Sequence, residues 1–320
     1  MVGSNIWAIT AAVFGIGFIY IKYFRAQYCR SKAKLTGKTV IVTGGNAGIG
    51  KTTAIDLARR GARVILACRN PLKAGPAVKE IRERSGSQNV VFRQLDMASP
   101  DSIRSFAKRF LEEESRLDVL INNAGIADGI PGVTVEGHDL IMWVNHYGPF
   151  LLTHLLLNKL KESAPSRIIT VSSSMHSAVK NQDEFFYIRQ KNAEPGTRTV
   201  KIYGQTKTAN ILFMRELAKR LEGTGVTTCS LHPGYVQTNA LQSGMENAGS
   251  AFTRWKLQAS IVVLWPFLMP PEAGAQTTIY CAVDESVPSL SGRYFTGCQV
   301  AKESNLARDD AFAKNFMNTV

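Results

Sequence analysis

The first 55 residues contain no aspartate or glutamate, yet they carry Lys22, Arg25, Arg30, Lys32, Lys34, Lys38 and Lys51. These seven cations supply more than half of the net charge of +13, which arises from 38 Lys and Arg against 25 Asp and Glu. The imbalance is therefore local. A nucleic-acid binder spreads basic side chains over a folded face with aromatics between them. Here the cations follow an apolar segment directly, so no nucleic-acid partner is expected. Cysteine is also sparse: Cys29, Cys68, Cys229, Cys281 and Cys298 are odd in number and lack metal-ligand spacing. This pattern excludes a disulfide framework or zinc site and fits a reducing compartment. Cys29 lies close enough to the apolar segment for acylation, although most such cysteines have no special role. Repeats and low-complexity tracts are missing. So is a G-x-S-x-G elbow, and no Asp and His complete a serine triad by spacing, which excludes a nucleophilic hydrolase. His146, His176 and His232 are accordingly read as supporting or surface residues.

The apolar segment runs from Ile6 to Ile21, sixteen residues without a charge. Val2 to Asn5 in front and a snorkelling Lys22 behind bring it near the ~20 residues that span a bilayer. A cleaved signal peptide carries its basic residues ahead of the apolar run and small residues at a cleavage site. Here the order is reversed and no such site follows. A helix packed on a domain would need a polar face, which this segment lacks. The reading is an uncleaved membrane anchor over 1–22 and a basic linker over 23–37. A single domain over 38–320 is then held in the cytosol by the positive-inside rule.

Beyond the linker, apolar runs alternate with helical patterns. Strands are expected at 39–42, 63–67, 90–92, 118–121, 167–171 and 226–231, with a short seventh at 293–295. Helices are expected through Arg60 and at 72–84, 101–115, 136–161 and 203–222. Continuous Val/Ile/Leu runs separated by helices signal a parallel sheet covered on both faces. The fold class is therefore α/β, a Rossmann-type doubly wound, mainly parallel seven-stranded sheet with helices on both faces.

Two patterns carry chemistry. The first strand feeds Thr43-Gly44-Gly45-Asn46-Ala47-Gly48-Ile49-Gly50 and then a helix. Such a turn gives tight reversal, close backbone approach to a pyrophosphate, and a helix N-terminus aimed at it. An NAD site places an acidic residue near the end of the second strand, about 20 residues beyond the glycines. That region reads Ala67-Cys68-Arg69-Asn70, with no carboxylate. A guanidinium suits a 2′-phosphate, so NADP(H) is the expected cofactor, with Arg69 as main determinant and Lys51 as helper. The second pattern is Tyr203-Gly204-Gln205-Thr206-Lys207, read together with Ser173 on an earlier strand. A spacing of four puts phenol and ammonium on one helix face. The cation is expected to pull the phenol's pKa from near ~10 toward neutrality. Such a pair suits an enzyme that moves a proton on or off an alcohol oxygen while a hydride moves elsewhere.

With these motifs stand Asp96 in Leu95-Asp96-Met97, Asn122-Asn123-Ala124-Gly125, Asn145 in Val144-Asn145-His146, Val171-Ser172-Ser173-Ser174, and Pro233-Gly234. In this combination and order, the whole chain resembles the short-chain dehydrogenase/reductase family. Within it, the chain resembles the membrane-anchored retinol dehydrogenase-like branch: the 11-to-14 group and its less characterised relative, SDR family member 13. Gly148-Pro149-Phe150-Leu151-Leu152-Thr153 and Leu290-Ser291-Gly292-Arg293-Tyr294-Phe295 are branch-level features. The resemblance implies that Gly44, Asn46, Gly48, Ile49 and Gly50 cradle the cofactor and that Asp96 bonds its adenine. It implies that Asn123, Ala124 and Gly125 pass beside the cofactor and that Pro233, Gly234, Val236 and Thr238 fold over the nicotinamide. It makes Asn145, Ser173, Tyr203 and Lys207 the catalytic set. Asn145 then holds a relay water, Ser173 polarises the substrate oxygen, Tyr203 moves the proton, and Lys207 also binds the nicotinamide ribose. The triple serine leaves Ser172 and Ser174 open as alternatives to Ser173.

The expected substrate is a lipophilic small molecule, an alcohol or its aldehyde or ketone, with retinal and retinol first. Reduction is the expected direction, because cytosolic NADP pools are kept reduced. Phe185-Phe186-Tyr187-Ile188 is expected to overhang the site as one wall of a pocket. A second apolar block over 255–270 reads equally as a lid or a core helix. Alternative readings are a hydroxysteroid or general carbonyl reductase, or a lipid-droplet or membrane protein with little activity. Endoplasmic reticulum is the expected membrane, with lipid droplet or mitochondrial membrane as alternatives. A homo-oligomer stays open.

Overall fold

The structure is a computed structural model, and it describes residues 27–126, 139–187, 195–236 and 268–319. The expected anchor over 1–22 lies outside the described residues. Among those described, no helix is long and apolar enough to cross a membrane. The chain 29–35 lies against the folded body. Arg60 Nη1 donates to the carbonyls of Ser31 (2.9 Å) and Ala33 (3.0 Å), and Leu35 is buried.

The first half alternates β1 (Thr39–Thr43), α1 (Gly48–Arg59), β2 (Arg63–Cys68), α2 (Pro71–Ser85), β3 (Val90–Gln94), α3 (Pro100–Glu113) and β4 (Val119–Asn122). A short helix, Leu140–Met142, and a π-helical turn, Trp143–Tyr147, lead into α4 (Gly148–Glu162). Then come β5 (Ser166–Val171), α5 (Gln182–Tyr187), α6 (Pro195–Arg220) and β6 (Val226–His232). The chain closes with α7 (Pro271–Gly274), α8 (Gln276–Val283), β7 (Tyr294–Thr296), β8 (Gln299–Val300) and α9 (Asp310–Thr319).

The strands form one sheet in the order β3-β2-β1-β4-β5-β6-β7-β8, parallel throughout except for β7 against β8. Every residue of β1 is buried, because helices cover both sheet faces. Successive side chains alternate between faces. Val40 and Val42 pack with Leu57 of α1, Ile81 of α2 and Ile279 of α8. Ile41 packs oppositely, with Phe106 and Phe110 of α3, Leu156 of α4 and Met214 of α6. The chain goes outward from β1 through β2 to β3, then returns to place β4 on the other side of β1. This reversal opens a crevice at the strand carboxyl ends between β1 and β4, where ligands bind in sheets of this kind.

Eight strands stand where seven were expected. The extra one, β8, is two residues long and so has no periodicity to read. It is made by a tight reversal in which Gly297 and Cys298 both adopt φ of 56°, the left-handed pair that suits a two-residue hairpin. Helix bounds differ as well. Expected at 203–222, α6 begins at Pro195, so Tyr203 lies well inside it. The helix expected from 136 starts at Leu140, where Asp139 Oδ1 accepts from Ile141 N (2.9 Å) and Met142 N (3.2 Å). Phe185 does not wall a pocket: it is buried with its ring against Phe312 and Phe316 of α9. Most of the apolar block 255–270 lies outside the described residues.

Candidate active site

A cleft of about 450 Å³ opens at the carboxyl ends of β1, β2, β4, β5 and β6, within the usual range for small-molecule sites. One end is built by the glycine turn. Gly44 has φ of 65°, and a Cβ there would lie 3.0 Å from Ala124 Cα. A Cβ at Gly50 would lie 2.5 Å from Asn123 Nδ2 and 2.6 Å from the Gly44 carbonyl. The backbones of β1 and β4 therefore meet with no room for side chains. Thr43 locks that junction. Its hydroxyl accepts from Asn123 N (3.0 Å) and Ala124 N (2.9 Å), and Asn123 Nδ2 donates to the Thr43 carbonyl (2.8 Å).

The N-terminus of α1 opens into this space. Its N-cap is Ala47, which offers no side-chain acceptor, and its first turn has no acid. By contrast, α2 is capped by Asn70 and α3 by Ser99. A twelve-residue helix whose leading N–H groups lack an internal cap, facing a cradle that a Cβ would fill, fits a pyrophosphate. Arg69 follows β2, is exposed, and lines the cleft. Asp96 also lines it, with Oδ1 accepting from Ala98 N (2.9 Å). Lys51, the expected helper, has its ammonium engaged by Glu80 at 2.7 Å and is not among the lining residues. Asn46, Gly48, Ile49, Gly125, Pro233, Gly234 and Val236 all border the cleft. Thr238 lies outside the described residues.

At the other end, Ser173, Tyr203 and Lys207 face the same cleft. The three serines are placed differently. Ser172 is buried and donates to the Lys207 carbonyl at 2.7 Å. Ser174 reaches outward to the Tyr235 hydroxyl at 3.4 Å. Ser173 hydrogen-bonds the Tyr203 phenol, so of the three alternatives it is the one beside the phenol. Lys207 Nζ lies 5.1 Å from the centroid of the Tyr203 ring and donates to the Val171 carbonyl at 3.1 Å.

Asn145 is buried behind this pair, in the π-helical turn. Its Oδ1 accepts from Ile126 N and its Nδ2 donates to the Ile126 carbonyl, each at 2.8 Å. A Cβ on Gly125 would sit 3.2 Å from Asn145 Oδ1 and 3.7 Å from Lys207 Nζ. The two polar groups thus border one small space beside Gly125. Irregular turns of this type recur at functional sites.

Burial sets the electrostatics. It pushes Lys207 down to about 8 and, being the larger influence, raises the Tyr203 phenol despite the Ser173 hydrogen bond. The expected fall of the phenol toward neutrality is therefore not present. Desolvation penalises the phenolate and the ammonium alike, which raises the one and lowers the other. At neutral pH Tyr203 is protonated and set to donate.

Of the supporting and surface readings for His146, His176 and His232, the surface one falls: His146 and His176 are buried, and His232 is half-buried and lines the cleft. Burial pushes His146 and His232 down to about 4. Sequence reading missed Thr43, whose task depends on the arrival of β4, and Leu95, Met97 and Val144, which line the cleft without a polar signature.

Similarity to known proteins agrees with this geometry. Residues 38–196 match the family model of the short chain dehydrogenases. The chain is 45% identical over 296 residues to dehydrogenase/reductase SDR family member 13 of Bos taurus, covering 92% of this chain and 75% of the relative. It is also 45% identical over 296 residues to retinol dehydrogenase 11 of Homo sapiens, covering 92% and 87%. Among solved structures, an uncharacterised protein from Mycobacterium paratuberculosis superposes with a TM-score of 0.67 at 31% identity, covering 88% of this chain and 91% of that one. A Beutenbergia cavernae protein described as an NAD(P)-dependent gluconate 5-dehydrogenase, solved with NADP at low occupancy, gives 0.63 at 27% identity, covering 82% and 96%. A glycine cradle at one end of the crevice, a serine, tyrosine and lysine at the other, and this extent of identity agree, and the chain belongs to the short-chain dehydrogenase family.

Proposed function

We propose that the chain is a membrane-anchored, NADP(H)-dependent oxidoreductase that interconverts a lipophilic alcohol and its aldehyde or ketone. All-trans-retinal and retinol are the first pair to test. The observation that carries this reading is one cleft with a glycine cradle and Arg69 at one end and Ser173, Tyr203 and Lys207 at the other. The names of the retinol dehydrogenase relatives and the NADP in a structural neighbour support the substrate class and the cofactor. The charge-free run Ile6–Ile21, followed at once by basic residues, supports the anchor.

Bound NADPH would supply the hydride. The residues of the chain do the rest. The turn Gly44–Gly50 and the N–H groups of α1 would hold the pyrophosphate, Asp96 the adenine, and Arg69 the 2′-phosphate. Ala124, Gly125, Gly234 and Val236, which line the cleft, would flank the nicotinamide end. The Ser173 hydroxyl donates to the carbonyl oxygen of the substrate and fixes its orientation. Tyr203 donates the proton to that oxygen as negative charge develops on it. Lys207, behind the ring, stabilises the phenolate left at Tyr203, Asn145 keeps a polar wall beside Lys207, and the phenolate regains its proton from solvent.

Two outcomes follow. Purified full-length protein is expected to consume NADPH with all-trans-retinal. Turnover of steroid ketones or small aldehydes but not retinal, across a panel, would assign a different carbonyl substrate. The rate of reduction is also expected to depend on pH through Lys207. Its pKa is pushed down to about 8, so its charge is present below that pH and is lost as pH rises through it. Tyr203, raised from its usual value, keeps its proton across the same range. Reduction is therefore fastest below pH 8 and falls above it. A rate constant that stays flat through that range would show that the charge on Lys207 does not assist.

A further inference from the structure

We infer that His176 is a positioning residue that aims Ser173 at the substrate by clamping the peptide that follows it. The inference rests on the reading of Ser173 as the group that orients the substrate carbonyl. His176 lies one turn beyond that serine, in the 3-10 turn Ser174–Ala178, and is 3% exposed. Its Nδ1 stands 2.6 Å from the Ser173 carbonyl. Its Nε2 stands 3.1 Å from the backbone nitrogen of Ser304.

These two contacts assign the tautomer. A backbone N–H only donates, so Nε2 must be the bare, accepting nitrogen. Nδ1 therefore carries the hydrogen and donates to the Ser173 carbonyl, which also accepts from His176 N at 3.1 Å. The Ser173 carbonyl is thus held by two donors of one residue. On the other flank, Ser173 Oγ accepts from Met175 N at 3.2 Å, so its own hydrogen is the one turned into the cleft, toward the Tyr203 phenol.

His176 is also held through its ring, its backbone carbonyl and the segment that carries Ser304. Its ring lies against Tyr294 of β7, with centroids 5.0 Å apart at 67°. Its own carbonyl accepts from Thr208 Oγ1 of α6 at 3.1 Å. The Ser304 that it binds belongs to a segment moored to α6 by Arg215, whose Nη1 lies 3.6 Å from Glu303 Oε1. His176 therefore ties three elements to the peptide 173–174: β7, α6 and the stretch before α9. Tyr203 and Lys207 lie on the same α6 as Thr208, so the clamp also holds serine and tyrosine in one frame.

The test compares two amides in the full-length protein, because each replaces one nitrogen of the ring. In His176→Asn the amide reaches from the Nδ1 position and keeps the donor to Ser173. In His176→Gln it reaches from the Nε2 position and keeps the tie to Ser304. Single-turnover reduction is followed at saturating NADPH with all-trans-retinal, or with 4-nitrobenzaldehyde if retinal is not turned over. His176→Gln is expected to lose about 10²-fold in rate, the scale of an ångström-sized misplacement, while His176→Asn loses tenfold or less. NADPH dissociation constants for both stay within about twofold of wild type, because the glycine cradle is untouched.

Each variant is then combined with Ser173→Ala. If His176 acts through that hydroxyl, His176→Gln slows the Ser173→Ala enzyme no further. A Gln variant at least as active as the Asn variant overturns the inference, because the tie to Ser304 would then be what matters. So does an equal loss from His176→Gln with and without Ser173. Should Ser173→Ala itself leave the rate unchanged, the catalytic reading of Ser173 fails, and the role given to His176 fails with it.

Discussion

Replacing Tyr203 with phenylalanine is expected to reduce carbonyl turnover to background while leaving NADPH binding intact. The substitution removes one oxygen from a side chain already seated in the cleft beside Ser173 and Lys207, so the packing of α6 is preserved. What it removes is the proton donor. General acid assistance contributes about 10²–10⁴-fold, equivalent to about 2.7–5.5 kcal/mol of transition-state stabilisation. Binding of NADPH is expected to depend on the glycine cradle and Arg69, which line the other end of the cleft. The checks are steady-state reduction of all-trans-retinal and a fluorescence titration of NADPH. A mutant turning over close to the wild-type rate would exclude Tyr203 as the donor. Joint loss of turnover and NADPH affinity would point instead to a collapsed site. The raised pKa of the phenol bears on direction too. A phenol that holds its proton at neutral pH is ready for reduction, whereas oxidation of an alcohol must first remove that proton.

Replacing Arg69 with aspartate is expected to reverse the cofactor preference. Arg69 follows the last residue of β2, at the edge of the cleft, and its side chain is exposed. A guanidinium there meets a 2′-phosphate with charge-assisted, paired hydrogen bonds. Bonds to charged groups contribute about 1.5–3 kcal/mol, so their loss alone weakens NADPH binding by about 10–150-fold. A carboxylate in their place repels the phosphate and can instead accept from a ribose hydroxyl, which favours NADH. Dissociation constants for the two cofactors on the same variant decide the matter. An unchanged NADPH-to-NADH ratio would remove Arg69 as the determinant. Lys51 is not expected to substitute, because Glu80 holds it away from the lining of the cleft.

Much of this site was legible in the chain alone, for a physical reason. A turn that must approach a phosphate closely needs glycine, and the context of strand before and helix after is local, so Gly44, Gly48 and Gly50 announce themselves. Tyr203 and Lys207 are four residues apart on one helix, so their shared face follows from helix geometry. The missing acid at the end of β2 is a compositional fact, and it already singled out Arg69. The buried strands of the sheet were readable because two-sided burial leaves continuous apolar runs.

What only the tertiary structure decided depends on contacts between residues far apart in sequence. Ser172, Ser173 and Ser174 are chemically identical, and the turn that follows β5 places the first against the Lys207 carbonyl, the second beside Tyr203 and the third toward Tyr235. Thr43 became the lock of the cradle because β4 arrives beside β1, 80 residues later for Asn123. Lys51 was drawn off by Glu80 of α2. The phenol of Tyr203 was raised and not lowered, because the depth of the cleft, which no local spacing encodes, sets the cost of a charge there. His176 acquired its two partners, one in β5's exit turn and one 128 residues away at Ser304, only when the chain closed on itself. Local chemistry thus named the candidate groups. Desolvation and long-range hydrogen bonding, which exist only in the folded chain, set their aim and their protonation.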